Sequence, residues 1–191
     1  SSDVCSSDLP NVSLDVYVKM NRPFYPNFSQ EVLERCLQDF ELPLSLNLNE
    51  LSMGQKKKAY MSFALATGTK YLFMDEPTNG LDIPSKSQFR KVIANNMTDE
   101  RMLIISTHQV HDIESLLDHI VILNQNNLLL DASVADICED YSFEYRTPAE
   151  MDDTVLYAEP TLQGNAVIAK RKAGSRETQM NLELLLDRKS V

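Results

Sequence analysis

The chain has 191 residues, room for one domain with an appendage, and 43% of them are apolar, enough for a real core. A formal charge of −10 argues against a nucleic-acid partner, which would favour a basic face. No run approaches the roughly 18 apolar residues of a membrane span, and three cysteines without a CxxC pair suggest a reducing compartment, not a disulfide framework or zinc site.

Both ends read as foreign to the fold. Asp3-Val4-Cys5-Ser6-Ser7-Asp8-Leu9 and Asp187-Arg188-Lys189-Ser190-Val191 can be encoded by stretches containing GCTCTTCCGATC and GATCGGAAGAGC. Those strings are reverse complements and resemble a common sequencing adapter, so residues 1–9 and 187–191 are expected to be non-native tails.

From Pro10 to Tyr25 the pattern is mixed, and Pro23-Phe24-Tyr25-Pro26 breaks regular structure. Ser29 is a natural N-cap for a helix whose Val32, Leu33, Cys36, Leu37 and Phe40 recur at helical spacing, with Pro43 ending it. Ser52-Met53-Gly54-Gln55 has the form of a capping box, and the helix behind it runs to Gly68 as a C-cap. A helix start of this kind also presents free N–H groups and the positive end of its dipole to an anion. Gly54 would let backbone come close to a phosphate. Lys56, Lys57 and Lys58 read as a solvated face with no named role.

Tyr71-Leu72-Phe73-Met74 runs straight into Asp75-Glu76, then into the turn Pro77-Thr78-Asn79-Gly80. Such a run predicts a strand buried on both faces of a parallel sheet, with its carboxylates emerging into a dry cleft beyond the strand end. Two ionised carboxylates there need a cation or a proton-transfer task, so Asp75 suits Mg²⁺ and Glu76 a water attacking a phosphoryl group. Asp82 caps the next helix, with Pro84 near its first position and Phe89, Val92, Ile93 and Met97 as its buried stripe. Met102–Ser106 predicts a second buried strand, with His108 just past its end.

Val110, Ile113, Leu116 and Leu117 predict a short amphipathic helix, and His119–Asn124 with Leu128–Asp131 a hairpin. One more helix is expected over Val134–Tyr141, then two strands over Thr154–Glu159 and Ala166–Lys170. His111 and His119 are read as structural.

Three of these stretches, in this order, resemble the motifs of ABC-type ATPases: Leu51-Ser52-Met53-Gly54-Gln55 the signature, Asp75–Asp82 the Walker B strand and D-loop, and Ser106-Thr107-His108 the switch-histidine loop. The resemblance covers residues 10 to about 140 and implies an α/β fold. That fold is the C-terminal part of a P-loop NTPase core with its helical subdomain, followed over 141–186 by a small accessory β element. It implies Ser52, Gly54 and Gln55 facing a nucleotide held by the opposite subunit, although many members carry Gly where Met53 stands. It implies Asp82 at the interface between two ATPase subunits, Asp75 on Mg²⁺, Glu76 serving the water, and His108 on the γ-phosphate. ATP and Mg²⁺ are the implied cofactors. The implied partners are a second, identical ATPase subunit and an integral membrane permease of an exporter-type transporter, with the ATPase peripheral on the cytoplasmic face. A soluble ABC ATPase acting on ribosomes or DNA is the alternative, disfavoured by the acidic charge. A non-catalytic ABC-like binding module is the third reading.

No G-x-x-x-x-G-K-[ST] loop, which cradles phosphates through backbone N–H groups and a Lys, occurs in the 191 residues. The chain is therefore expected to be part of a longer parent ATPase, to bind ATP poorly alone, and to lack the strands flanking Tyr71–Asp75, leaving apolar edges exposed.

Overall fold

The computed structural model describes residues 11–172 and 174–190, with side chains up to residue 187. The expected tail at 1–9 and Val191 lie outside the described residues. The chain divides into two compact units, one ending at Asp112 and the other beginning at Ile113.

In the first unit, three helices form a small helical body. Helix α1 (Leu14–Asn21), not expected from the sequence, is capped by Ser13, whose hydroxyl accepts the Val16 amide. It buries Leu14 and Val18, one turn apart. Helix α2 (Gln30–Asp39) starts at Ser29 as expected, the hydroxyl accepting from the Val32 amide, and buries Leu33, Cys36 and Leu37. It stops ahead of Pro43, because Phe40 closes the last turn and Glu41 swings to φ +58°. Burial pushes the Cys36 thiol up to about 11, which makes it a packing group, not a nucleophile. Helix α3 (Met53–Ala66) has the full capping box of Ser52 and Gln55. Its Phe63 ring is ringed by Tyr17, Tyr25 and Phe28, with centroids 5.4, 5.6 and 5.5 Å away. Gly68 comes next at φ +66°, where a Cβ would lie 2.5 Å from the Asn27 carbonyl oxygen, so only glycine fits.

Strand β1 (Tyr71–Asp75), helix α4 (Ile83–Asn96) and strand β2 (Met102–Ser106) make a βαβ unit. The strands pair in parallel from Tyr71 opposite Met102 to Asp75 opposite Ser106. The expectation that both strands are buried on both faces is not met. Phe73 is 71% exposed and Tyr71 54%, and Met102 and Ile104 on the same face are exposed too. Among the described residues β1 pairs only with β2, and the face carrying Leu72 and the buried Met74 is the covered one. In α4, Phe89, Val92 and Ile93 are buried as expected, with Asn96 rather than Met97 completing the stripe.

The amphipathic helix expected from Val110 to Leu117 is replaced by two 3-10 turns, Val110–Asp112 and Glu114–Leu116. Ile113, at φ −121° and ψ −7°, sits outside the helical well and interrupts them. In the second unit, β3 (His119–Asn124) and β4 (Asn127–Ser133) form the expected hairpin, with Gln125 at φ +52° in its turn. Helix α5 (Val134–Asp140) is capped by Ser133. The accessory element has three strands, not two: β5 (Tyr141–Arg146), β6 (Val155–Thr161) and β7 (Gly164–Lys170) in the order β5-β7-β6, all antiparallel. The central strand buries Val167, Ile168 and Ala169 completely, and α6 (Leu182–Ser190) packs against it with Leu182, Leu184 and Leu185 buried. Residues 187–190, expected to be a tail, continue the backbone of α6. No helix among the described residues is long and apolar enough to cross a membrane.

Candidate functional site

The ends of β1 and β2 lie side by side, and the first residues beyond each strand meet the other strand's end. Asp75 and Ser106 are register partners, and the Ser106 hydroxyl donates to Asp75 Oδ1. One residue on, the Glu76 amide donates to the Ser106 carbonyl at 2.8 Å, extending the ladder by one bond. The Glu76 carboxylate then takes three contacts from the loop after β2. Thr107 Oγ1 donates to Oε2 at 2.9 Å, the His108 amide donates to Oε1 at 3.0 Å, and His108 Nδ1 lies 2.6 Å from Oε1. Burial raises the Glu76 pKa, but the His108 and Thr107 hydrogen bonds outweigh it, so the group stays below the ordinary Glu range.

The expected dry cleft is not what forms. His108 is 70% exposed and Asp75 is exposed, because among the described residues nothing lies over the strand ends. His108 and Asp75 therefore stand on an open, exposed edge, with the half-buried Glu76 carboxylate beside them.

The turn after Glu76 is fixed from below. Asn79 N–H returns to the Glu76 carbonyl at 3.3 Å and Leu81 N–H to the Thr78 carbonyl at 3.1 Å. Gly80 sits at φ +77°. Lys57 of α3 donates to the carbonyls of Glu76 at 3.0 Å and Asn79 at 2.6 Å. Asp82 then caps α4, accepting the Ser85 amide at 2.9 Å; hydrogen bonds from Ser85 hold its carboxyl low. That cap is the role read from the sequence; its place at a subunit interface rests on resemblance alone.

The start of α3 meets the same turn. A Cβ on Gly54 would come within 3.6 Å of Leu81 Cδ2 and 3.9 Å of the Gly80 carbonyl oxygen. Ser52 Oγ accepts the Gln55 amide at 3.2 Å while Gln55 Oε1 accepts the Ser52 amide at 2.9 Å. The box thus uses the side chains of Ser52 and Gln55 internally, leaving the Met53 and Gly54 amides as those that helix geometry orphans. The structure brings Asp75, Glu76 and His108 into one cluster, and sets Gly54 against the turn that leads to Asp82.

Four supports of the site escape a reading of the sequence. Lys57 sits in a basic run, and Ser106 and Thr107 stand as motif letters without a role of their own. Lys86 reaches Asp112 Oδ2 at 2.7 Å and Gln109 Oε1 at 3.3 Å, bracing the loop behind His108. For Ser106 and Thr107 the available signal is their place at the end of a second apolar run, where a parallel neighbour sets hydroxyls beside the acids. His119 pairs with Asp131 across the hairpin at 2.7 Å, in keeping with a structural reading.

The fold is that of solved ABC ATPase domains, a P-loop NTPase fold. A solved ATP-binding subunit of an ABC transporter matches at a TM-score of 0.58 and 23% identity, over 68% of this chain and 56% of that one. A bacterial Atm1-family ABC exporter with ATP bound matches at a TM-score of 0.53 and 19% identity, over 66% of this chain and 23% of that one. Among curated proteins, the ABC transporter ATP-binding protein YtrB of Bacillus subtilis is 25% identical over 125 residues, 65% of this chain and 43% of its own length. The zinc uptake system ATP-binding protein ZurA of Listeria innocua is 29% identical over 110 residues, 56% of this chain and 42% of its own length. No protein-family profile matches the sequence. The homologues are thus ABC transporter ATP-binding subunits, and the chain spans about two fifths of the length of those two relatives.

Proposed function

We propose that this chain carries the hydrolytic edge of a nucleotide site in the ATP-binding subunit of an ABC transporter, whose longer parent couples ATP hydrolysis to movement of a substrate across a membrane. The observation that supports this best is the convergence of Glu76 with Thr107 and His108, residues more than thirty positions apart in sequence. In this reading the Glu76 carboxylate, held by Thr107 and the His108 amide, orients or deprotonates the water that attacks the γ-phosphoryl group. His108, projecting into solvent from that same contact, stabilises the charge on the group being transferred.

Asp75 fits a hard divalent cation. Its carboxylate is exposed and keeps Oδ2 beyond the Oδ1 engaged by Ser106. That is the kind of site Mg²⁺ uses, with one or two carboxylates and the rest water and phosphate. When bound, Mg²⁺ would supply neutralisation of phosphate charge.

The orphaned amides at the start of α3, with Ser52, Gly54 and Gln55, would meet the nucleotide of a second, identical subunit. Asp82 would lie at that subunit interface. An integral membrane permease is the remaining partner, which would put the subunit on the cytoplasmic face of the cell membrane. The parent supplies the phosphate-cradling loop, and the 191-residue chain by itself would bind ATP weakly and hydrolyse none. In the parent, Glu76→Gln should abolish turnover yet leave ATP-dependent dimers, detectable by size-exclusion chromatography. Unimpaired hydrolysis would reject the role of Glu76.

A further inference from the structure

We propose that Lys57 is a positioning residue for Glu76, its ammonium group clamping both ends of the turn that presents the carboxylate. This rests on Glu76 serving the attacking water. Glu76 is held at φ +44°, a region that a side-chain-bearing residue seldom adopts. It also precedes Pro77, and a residue before proline is driven toward extended backbone. Two preferences therefore oppose the observed conformation, which persists only if the surroundings over-determine it.

On its N-terminal side the restraint is the ladder bond from the Glu76 amide to Ser106. On its C-terminal side the turn's own closing bond, Asn79 N–H to the Glu76 carbonyl, is long at 3.3 Å. Lys57 Nζ donates to that same carbonyl at 3.0 Å and to the Asn79 carbonyl at 2.6 Å, so it grips the first and last residues of the turn at once. A charged donor makes these bonds stronger than neutral ones. Without them Glu76 would relax toward extended backbone and draw its carboxylate away from Thr107 and His108. The neighbouring Lys58 is engaged elsewhere, on Gln88 Oε1 at 2.8 Å and over the Phe40 ring, and cannot substitute.

The test compares Lys57→Met, Lys57→Arg and Glu76→Gln in the parent ATPase, measuring kcat and KM for ATP. Met keeps the apolar stem and removes the donors, and should lower kcat about tenfold with KM for ATP within about twofold, the size expected for a lost charged hydrogen bond. Arg keeps charge and donors, and should retain at least about half of kcat. In the 191-residue chain, amide exchange at Asn79 and Leu81 should quicken about tenfold with Met and not with Arg. If Lys57→Met fails to fold, Lys57→Gln replaces it and should show a smaller kcat loss at unchanged KM. An unchanged kcat for Met or Gln, with Glu76→Gln inactive, overturns the role of Lys57 alone, as does an Arg variant as impaired as Met. An active Glu76→Gln enzyme overturns the reading beneath it.

Discussion

Arg35 on α2 donates to the side-chain carbonyl of Asn96 on α4 at 2.6 Å, across 61 residues of chain. Asn96 is buried, and its amide nitrogen donates to the Val92 carbonyl at 2.7 Å. One side chain thus caps a stretch of α4 and ties the helical body to the βαβ unit that carries the acidic pair. Asn96→Ala removes both bonds, one of them to a charged group, so it should destabilise the chain by about 1–3 kcal/mol in urea denaturation. Asn95→Ala, one position away and exposed, should change stability by less than about 0.5 kcal/mol. Equal effects would mean the link between the two helices carries no weight.

Ser29 and Ser52 cap successive helices in the same way, each hydroxyl accepting an amide three residues on at 3.2 Å. Replacing either with Ala should cost about 1 kcal/mol of stability. Their functional effects should differ. In the parent, assayed well below the melting point, Ser52→Ala should lower ATP hydrolysis and Ser29→Ala should leave it intact. If the two variants lose activity alike, the capped turn before α3 is a helix start and nothing more.

Asp152 anchors the accessory sheet. The Thr154 hydroxyl, then Lys172, the Thr154 amide and Arg146 all donate to its carboxylate and hold it well below the ordinary value of 3.8. A depressed carboxyl stabilises the fold above its unfolded value, and that contribution is lost as pH falls from 3.8 through the folded value. Asp152→Asn should therefore lower the melting temperature at neutral pH, and the gap to the unsubstituted chain should begin to close below about pH 4. A gap that stays constant on acidification would show that the charge on Asp152 is not what stabilises this sheet.

The helix starts and the strand end around the candidate site were legible because their local signals are self-contained. Ser52 with Gln55 announces a capping box, Asp82 with Pro84 a helix start, and an apolar run closing on Asp75-Glu76 a strand end. The α/β class was legible for the same reason. What was lost depended on neighbours. A run such as Tyr71–Met74 tells that a strand forms but not what packs over each face, so the exposure of Phe73 could not be read. The clamp from Lys57 is a long-range contact between a helix and a turn, invisible in a run of three lysines. Other misses had a local signal. Ser13 before Leu14 and Val18 marks α1, and Tyr141, Phe143 and Tyr145 alternating with Ser142, Glu144 and Arg146 mark β5. Extending α5 to Tyr141 conceals that alternation, and treating 187–191 as a tail draws attention from the leucines of α6.

On the proposed reading, the acids closing β1 serve a nucleotide with its metal. Calorimetric titration of the parent with ATP, with and without Mg²⁺, measures this most directly. Binding should tighten when Mg²⁺ is present, with that gain lost in Asp75→Ala. ATP affinity indifferent to Mg²⁺, or no affinity at all in a folded parent, would contradict it.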